Sequence, residues 1–205
     1  MAGGEAEIIS AVLEGFTVVS RLEVGPFRDD DDLDALRELD ATIFGSLAYP
    51  YFVLRQVVDA HRDEILLARL DGKLCGYALT MTSRMSDVAW FQGLGVHPKY
   101  QGRHIGRRLA CAALTKLFGA GIRTVQLVVR PANTAAVELY QSLDFQWQKD
   151  LPGYFGRGQD RMLMSCTLSK KLTRTLQAQA RSDGEVRPAA VGPSPDRADA
   201  ASTRG

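Results

Sequence analysis

The segment from Val88 to Leu117 restricts the possible folds more than any other part of the chain. The run VAWFQGLGV is apolar enough for a buried strand, and it passes at once into His97-Pro98 and a basic, glycine-bearing loop. Ile105, Leu109, Ala113 and Leu117 then recur at four-residue spacing, the period of a helix with one buried face. A strand that feeds a helix through a glycine loop belongs in an α/β layer architecture. The flanking segments continue the alternation. Phe16–Val24 (FTVVSRLEV) is rich in β-branched residues and reads as a strand, and Leu33, Leu36 and Leu39 predict a helix behind the acidic run Asp29–Asp32. Four consecutive acids at that place read as a solvated helix start rather than as metal ligands. A second helix is expected over Tyr51–His61 after Pro50, then a hairpin of Ile65–Leu70 and Leu74–Met81 about an Asp71-Gly72 turn. After the long helix, which Gly119 and Gly121 end, come a strand at Thr124–Arg130 and a helix at Asn133–Ser142. Two final strands follow, from Phe145 and over Arg161–Leu168. The order β-α-α-β-β-β-α-β-α-β-β predicts an α/β (α+β) fold with a mixed central sheet flanked by helices.

Composition sets the boundaries. Residues 1–15 are expected to be a flexible N-terminus and residues 16–168 the folded domain. Residues 169–205 read as a tail, basic at first and then rich in Ala, Pro and Gly, whose later part cannot bury enough apolar area to order itself. KKLTRTLQAQAR, within it, has the composition of a frayed basic helix. Lys and Arg number 25 against 24 Asp and Glu, so no basic excess marks a nucleic-acid binder. Cys75, Cys111 and Cys166 are too scattered for a disulfide framework or a zinc ribbon. No apolar run is long enough to span a membrane, and the N-terminus has no secretory pattern. The expectation is a cytoplasmic protein, monomer or homodimer, with no metal, nucleic acid or membrane among its partners.

The loop after the strand carries the chemistry. Gln101, Gly102, Arg103, His104, Ile105, Gly106, Arg107 and Arg108 open a helix, where unpaired backbone N–H groups and the helix dipole make an anion site. No Gly-Lys pair supports a P-loop, and no GxGxxG follows the strand as a dinucleotide fingerprint would require. A loop of the type [Gln/Arg]-x-x-Gly-x-[Gly/Ala] fits from Gln101 to Gly106, except that His104 takes a position usually held by glycine. The competing reading of the arginines is a solvated helix face.

Leu94–Leu143 resembles the core of the GNAT superfamily of acyl-CoA-dependent N-acetyltransferases. Val96-His97-Pro98, Tyr100-Gln101-Gly102-Arg103 and Ile105-Gly106 stand in the family's order. So does Asn-x-x-Ala-x-x-Leu-Tyr-x-x-Leu-x-Phe, as Asn133, Ala136, Leu139, Tyr140, Leu143 and Phe145. The resemblance implies a mostly antiparallel sheet with its fourth and fifth strands splayed, acetyl-CoA as co-substrate, and direct attack by a primary amine in a ternary complex. It implies that Leu94, Gly95 and Val96 offer backbone N–H groups to the acetyl and pantetheine parts. A preorganised donor of that kind is worth about 2.7–4 kcal/mol of barrier. It also implies that Gln101–Arg107 hold the pyrophosphate, that Asn133 positions the cofactor or caps its helix, and that Tyr140 is the acid that protonates the departing thiolate. The competing reading of Tyr140 is a core tyrosine. Gly93 and Gly95 suggest a bulge or a close ligand approach.

The base that takes the amine's proton is not assigned. Many relatives place a Glu on the fourth or fifth strand, where this chain has Gln92 and Val128. His97 reads as a structural turn with its proline, which leaves Asp87 or a water path. Asp144 stands where the family has glycine after the helix, and Asp tolerates the left-handed conformation needed there. The acceptor segments implied by the resemblance are Phe44–Phe52, with Tyr49 and Tyr51, and Leu151–Asp160, with Tyr154. The second is similar to the last hairpin of ribosomal-protein and other protein N-terminal acetyltransferases through Tyr154, Gly158, Asp160 and Met164. A peptide α-amine and a small-molecule amine both remain open as acceptor. A non-catalytic CoA-binding domain of the same fold is the alternative reading.

Overall fold

The computed structural model describes residues 21–82 and 87–182. Seven strands form one sheet in the order β1-β2-β3-β4-β5-β7-β6. They are β1 (Leu22–Pro26), β2 (Ile65–Leu70), β3 (Lys73–Thr82), β4 (Val88–Val96), β5 (Thr124–Val129), β6 (Gln146–Leu151) and β7 (Arg161–Thr167). The helices are α1 (Asp30–Phe44), α2 (Tyr51–His61), α3 (Ile105–Gly119), α4 (Thr134–Gln141) and α5 (Lys170–Ser182). All neighbouring strands are antiparallel except β4 and β5, so the expected fold class is observed. Strand β1 covers Leu22–Val24 of the expected Phe16–Val24 and runs on to Pro26, and residues 16–20 of that expectation lie outside the described residues.

Two apolar layers cover the two faces. Leu33, Leu36 and Leu39 of α1 and Leu54 and Val58 of α2 pack on Leu67, Tyr77 and Leu79. Leu109, Ala113 and Leu117 of α3 pack on Ala68, Ala78 and Val125 of the other face, with Tyr140, Leu143 and Phe145 beside them. Each such leucine removed from water contributes about 1.5–3 kcal/mol before chain entropy is counted. The acidic run is a helix start. Asp29 accepts from the Asp32 N–H at 3.2 Å, Asp32 pairs with Arg69, and Asp30 pairs with Arg55 at 3.0 Å. The hairpin turn has positive φ at both Asp71 (51°) and Gly72 (80°), as a two-residue I′ connection requires.

The segment after Leu168 is helical, as KKLTRTLQAQAR suggested, but it docks rather than frays: Thr173 and Leu176 are buried while Leu172 and Ala180 pack on the core beside α3. The packed body thus extends beyond residue 168, because the apolar positions within KKLTRTLQAQAR fall on one helical face. The start expected to be flexible at 1–15 and the part of the expected tail beyond residue 182 lie outside the described residues.

Candidate active site

The site begins where β4 leaves β5. The two strands pair at Val88–Thr124, Ala89–Val125 and Trp90–Gln126 and then diverge, so the rest of β4 keeps only β3 as a neighbour. Leu79 faces Gly93 while Thr80 faces Phe91, so Gln92 is the extra residue of a bulge at the point of divergence. Just past the Gly76–Val96 pair, the His97 N–H donates to the Cys75 carbonyl at 2.9 Å. Ladder alternation then turns Tyr77 and Gly95 toward each other and points the N–H groups of Leu94 and Val96 away from β3, into the opening. Two donors aimed into a gap between strands are what a thioester and an amide-bearing arm require.

Gly93 and Gly95 have a packing reason. A Cβ on Gly95 would stand 2.8 Å from Ile43 Cδ1 and 3.0 Å from the Tyr77 ring, and one on Gly93 would stand 3.2 Å from that ring. The bulge expected from these glycines is present, and the space they leave holds Tyr77 and the end of α1.

The loop from β4 to α3 is built by short-range bonds. Nδ1 of His97 accepts from the Lys99 N–H at 3.1 Å, which makes His97 a turn residue, and Gln101 Nε2 donates to the Val96 carbonyl at 3.1 Å. Gly102 has φ +74°, and His104 has φ 58° at the helix N-cap. Glycine is the usual residue at such a φ, and histidine is among the side chains that adopt it with least strain. The first turn of α3 at Ile105, Gly106 and Arg107 faces the loop without a side-chain cap on its N–H groups. Arg103 lies over the Tyr100 ring, 5.8 Å from its centroid. Arg107 donates to Ser142 Oγ at 2.8 Å and to Gln179 Oε1 at 3.2 Å. Helix α4 starts on Asn133, whose Oδ1 accepts from the Ala136 N–H at 3.3 Å, so Asn133 is a cap.

Tyr140 is 8% exposed, its ring set edge-on to Phe91 of β4 (6.3 Å between centroids) and to Phe145 (5.6 Å). No described residue bonds its hydroxyl. Burial raises its pKa well above the ordinary tyrosine value, so it stays a proton donor at neutral pH. Asp144 has φ 71°, the left-handed conformation foreseen for it.

Each of the two segments expected to hold the acceptor has one residue placed beside the diverging strands. Phe44, at the end of α1, lies against Gly95, and Gln159 of the β6–β7 loop accepts from Arg130, just beyond β5, at 3.0 Å. Tyr51, Phe52, Tyr154 and Phe155 are exposed, and Tyr49 is half-buried. Asp87 stands at the opposite end of β4, where its carbonyl accepts from Arg123 and Thr124 beside the paired strands. That removes it as a base for chemistry in the gap.

A sequence model described as the acetyltransferase (GNAT) family matches residues 33–145. The chain belongs to this family. It is similar to N-alpha-acetyltransferase RimI of Mycobacterium tuberculosis, 36% identical over 120 residues that cover 56% of this chain and 73% of that protein. In fold it is similar to the ribosomal-protein-S18-alanine N-acetyltransferase of Escherichia coli, with a TM-score of 0.62, 23% identity, and 72% of this chain matched to 94% of that one. It is likewise similar to an acetyltransferase of Salmonella typhimurium solved with its cofactor acetyl-CoA, with a TM-score of 0.61, 22% identity, and 73% matched to 95%. This GNAT protein is an acyltransferase that uses acetyl-CoA for N-acetylation. Among its described residues no helix is long and apolar enough to cross a membrane, and no group of three His, Cys, Asp or Glu is placed to hold a metal ion.

Sequence reasoning missed two residues. Asp40 is 0% exposed, and its Oδ1 accepts from the Tyr77 hydroxyl at 2.5 Å while its Oδ2 accepts from the Tyr49 N–H at 2.6 Å. The signal was a carboxylate on the buried face of α1, between Leu36, Leu39 and Ile43.

Proposed function

We propose that this GNAT protein transfers the acetyl group of acetyl-CoA to the α-amine of a peptide or protein N-terminus in the cytoplasm. The observation that carries the reading is the exposed aromatic side chains of the two expected acceptor segments, Tyr51 and Phe52 in the first and Tyr154 and Phe155 in the second. Such aromatic surfaces suit the first side chains of a peptide better than a polycationic small molecule, for which an acidic wall would be needed. The similarity to an N-alpha-acetyltransferase over most of that relative's length supports it.

In this reading the N–H groups of Leu94 and Val96 hold the thioester and pantetheine arm, with Gly95 between them giving room to Tyr77. Gln101, Gly102, Arg103, His104, Ile105, Gly106 and Arg107 surround the pyrophosphate, chiefly through backbone N–H groups at the start of α3. Asn133 holds the start of α4, and Tyr140 gives its proton to the leaving thiolate. Tyr49, Tyr51 and Tyr154 line the acceptor. The amine attacks the carbonyl carbon from the α1–α2 face, and the thiol leaves on the α3–α4 face beside Tyr140.

Incubation with acetyl-CoA and a library of peptides with free N-termini, read by mass spectrometry, tests the acceptor class. The expected product is a single acetyl group on the α-amine, with preference for apolar first residues. Acetylation confined to lysine side chains or to small amines would replace this acceptor class.

A further inference from the structure

Amine acetylation needs an acceptor for the proton that the attacking nitrogen loses. Strands β4 and β5 offer Gln92 and Val128 at the gap, and neither can take it. The neighbouring strand offers another group. A Cβ on Gly93 would lie 3.4 Å from the hydroxyl oxygen of Tyr77, so this hydroxyl occupies the space that a β4 side chain would fill beside the bulge. It lies on the α1–α2 face of the sheet, whereas Tyr140 lies in the apolar layer of the opposite face. The two phenols thus stand on the two sides of the opening, one where the amine arrives and the other where the thiol departs.

We propose that Tyr77 and Asp40 are the proton-accepting pair of the transfer, with Tyr77 relaying the amine's proton through a bridging water to the Asp40 carboxylate. Tyr77 is held protonated by burial first and by the nearby Asp40 carboxyl second, so it cannot act as a phenolate base. It can pass a proton on, because its own O–H points at Asp40 Oδ1 at 2.5 Å. The step balances. As the nitrogen bonds to the carbonyl carbon, its N–H breaks and that proton goes to the water. The water gives a proton to Tyr77 Oη, and the Tyr77 O–H breaks as the Asp40 O–H forms. After the amide leaves, Asp40 returns the proton to the Tyr77 oxygen as Tyr77 gives its own to the water and so to solvent, and Tyr140 regains from solvent the proton it gave to sulfur. Tyr77 is 1% exposed, so water is the carrier between the nitrogen and Oη. Asp40 also accepts from the Tyr49 N–H, which couples the relay to the acceptor loop. The other titratable groups that bear on the pair are Tyr49, from that loop, and Tyr140, from α4.

The inference rests on the acetyl position at β4 proposed above and on no particular acceptor. That position is tested separately by acetyl-CoA affinity, which Tyr77→Phe should leave unchanged. With any amine that gives turnover, Tyr77→Phe should lower kcat about 10²-fold with little change in acceptor KM. Part of the loss should return at high pH, where hydroxide takes the proton. Asp40→Asn keeps an oxygen for the Tyr77 hydroxyl but cannot hold the proton, and it should show the same loss. A kcat within twofold of the parent in either folded variant, or a raised acceptor KM with kcat intact, would overturn the relay and leave the pair an anchor for the loop. On the unaltered protein, single-turnover rates in H₂O/D₂O mixtures should bow, because several protons move together. A linear dependence, or none, would overturn it whatever the variants' stability.

Discussion

Replacing Tyr140 by Phe separates chemistry from packing because the structure assigns the ring and the hydroxyl different neighbours. The ring touches Phe91 and Phe145, and Phe keeps both edge-to-face contacts. The hydroxyl has no bond within the described residues, so its removal breaks no folded-state hydrogen bond, which would ordinarily be worth about 1 kcal/mol. The stability change should therefore stay within about 0.5 kcal/mol, or roughly 2 °C in Tm for a domain of this size. Turnover is another matter. A positioned acid contributes about 10²–10⁴-fold, which corresponds to about 3–5 kcal/mol of barrier. The expected result is an unchanged Tm and acetyl-CoA affinity with kcat down at least a hundredfold. Thiol release would be followed in single turnover, so that product release cannot mask the step. A kcat within twofold of the parent, with chemistry limiting, would make Tyr140 a core residue and leave protonation of the thiolate to water.

Three further outcomes follow from the geometry. A Cβ on Gly106 would meet Leu139 and Val96 at 3.6 Å, ordinary contact, so Gly106→Ala should fold and bind acetyl-CoA. Gly106→Asp should fold but lose that affinity, since its carboxylate would oppose the phosphates; unaltered calorimetric affinity would refute the loop assignment. Gly95→Ala forces a Cβ to within 2.8 Å of Ile43 and 3.0 Å of Tyr77, and should destabilise by about 1–3 kcal/mol in denaturant titration; an unchanged midpoint would show that α1 gives way. Burial pushes Cys75 up to about 11 and Cys166 up to about 12, from 9.0. Both thiols ionise more readily in the unfolded chain, so their contribution to stability should be constant below pH 9 and be lost progressively between 9 and 12. Melting temperatures that hold level to pH 11 would contradict this burial.

The turns and helix starts of the loop proposed to hold the phosphates were legible because their signals are local. A strand run, a glycine-bearing basic loop and an asparagine before an apolar helix each lie within a few residues, and turn and cap chemistry act over that range. The order of elements was readable for the same reason, down to the left-handed Asp144. Local pattern could not say that the basic stretch after Leu168 docks, since whether an amphipathic helix with few apolar residues stays depends on the surface offered by α3. Nor could it give Gly93 and Gly95 their reason, because the ring they accommodate comes from another strand. The Asp40–Tyr77 bond spans |i−j| = 37 in sequence, and it exists only because α1 crosses the face of β3 next to the bulge. Backbone propensity and capping are encoded by neighbours in the chain, and the sequence alone determined them. The meeting of a buried carboxylate with a phenol over an open strand is a product of packing, and only the tertiary structure decided it.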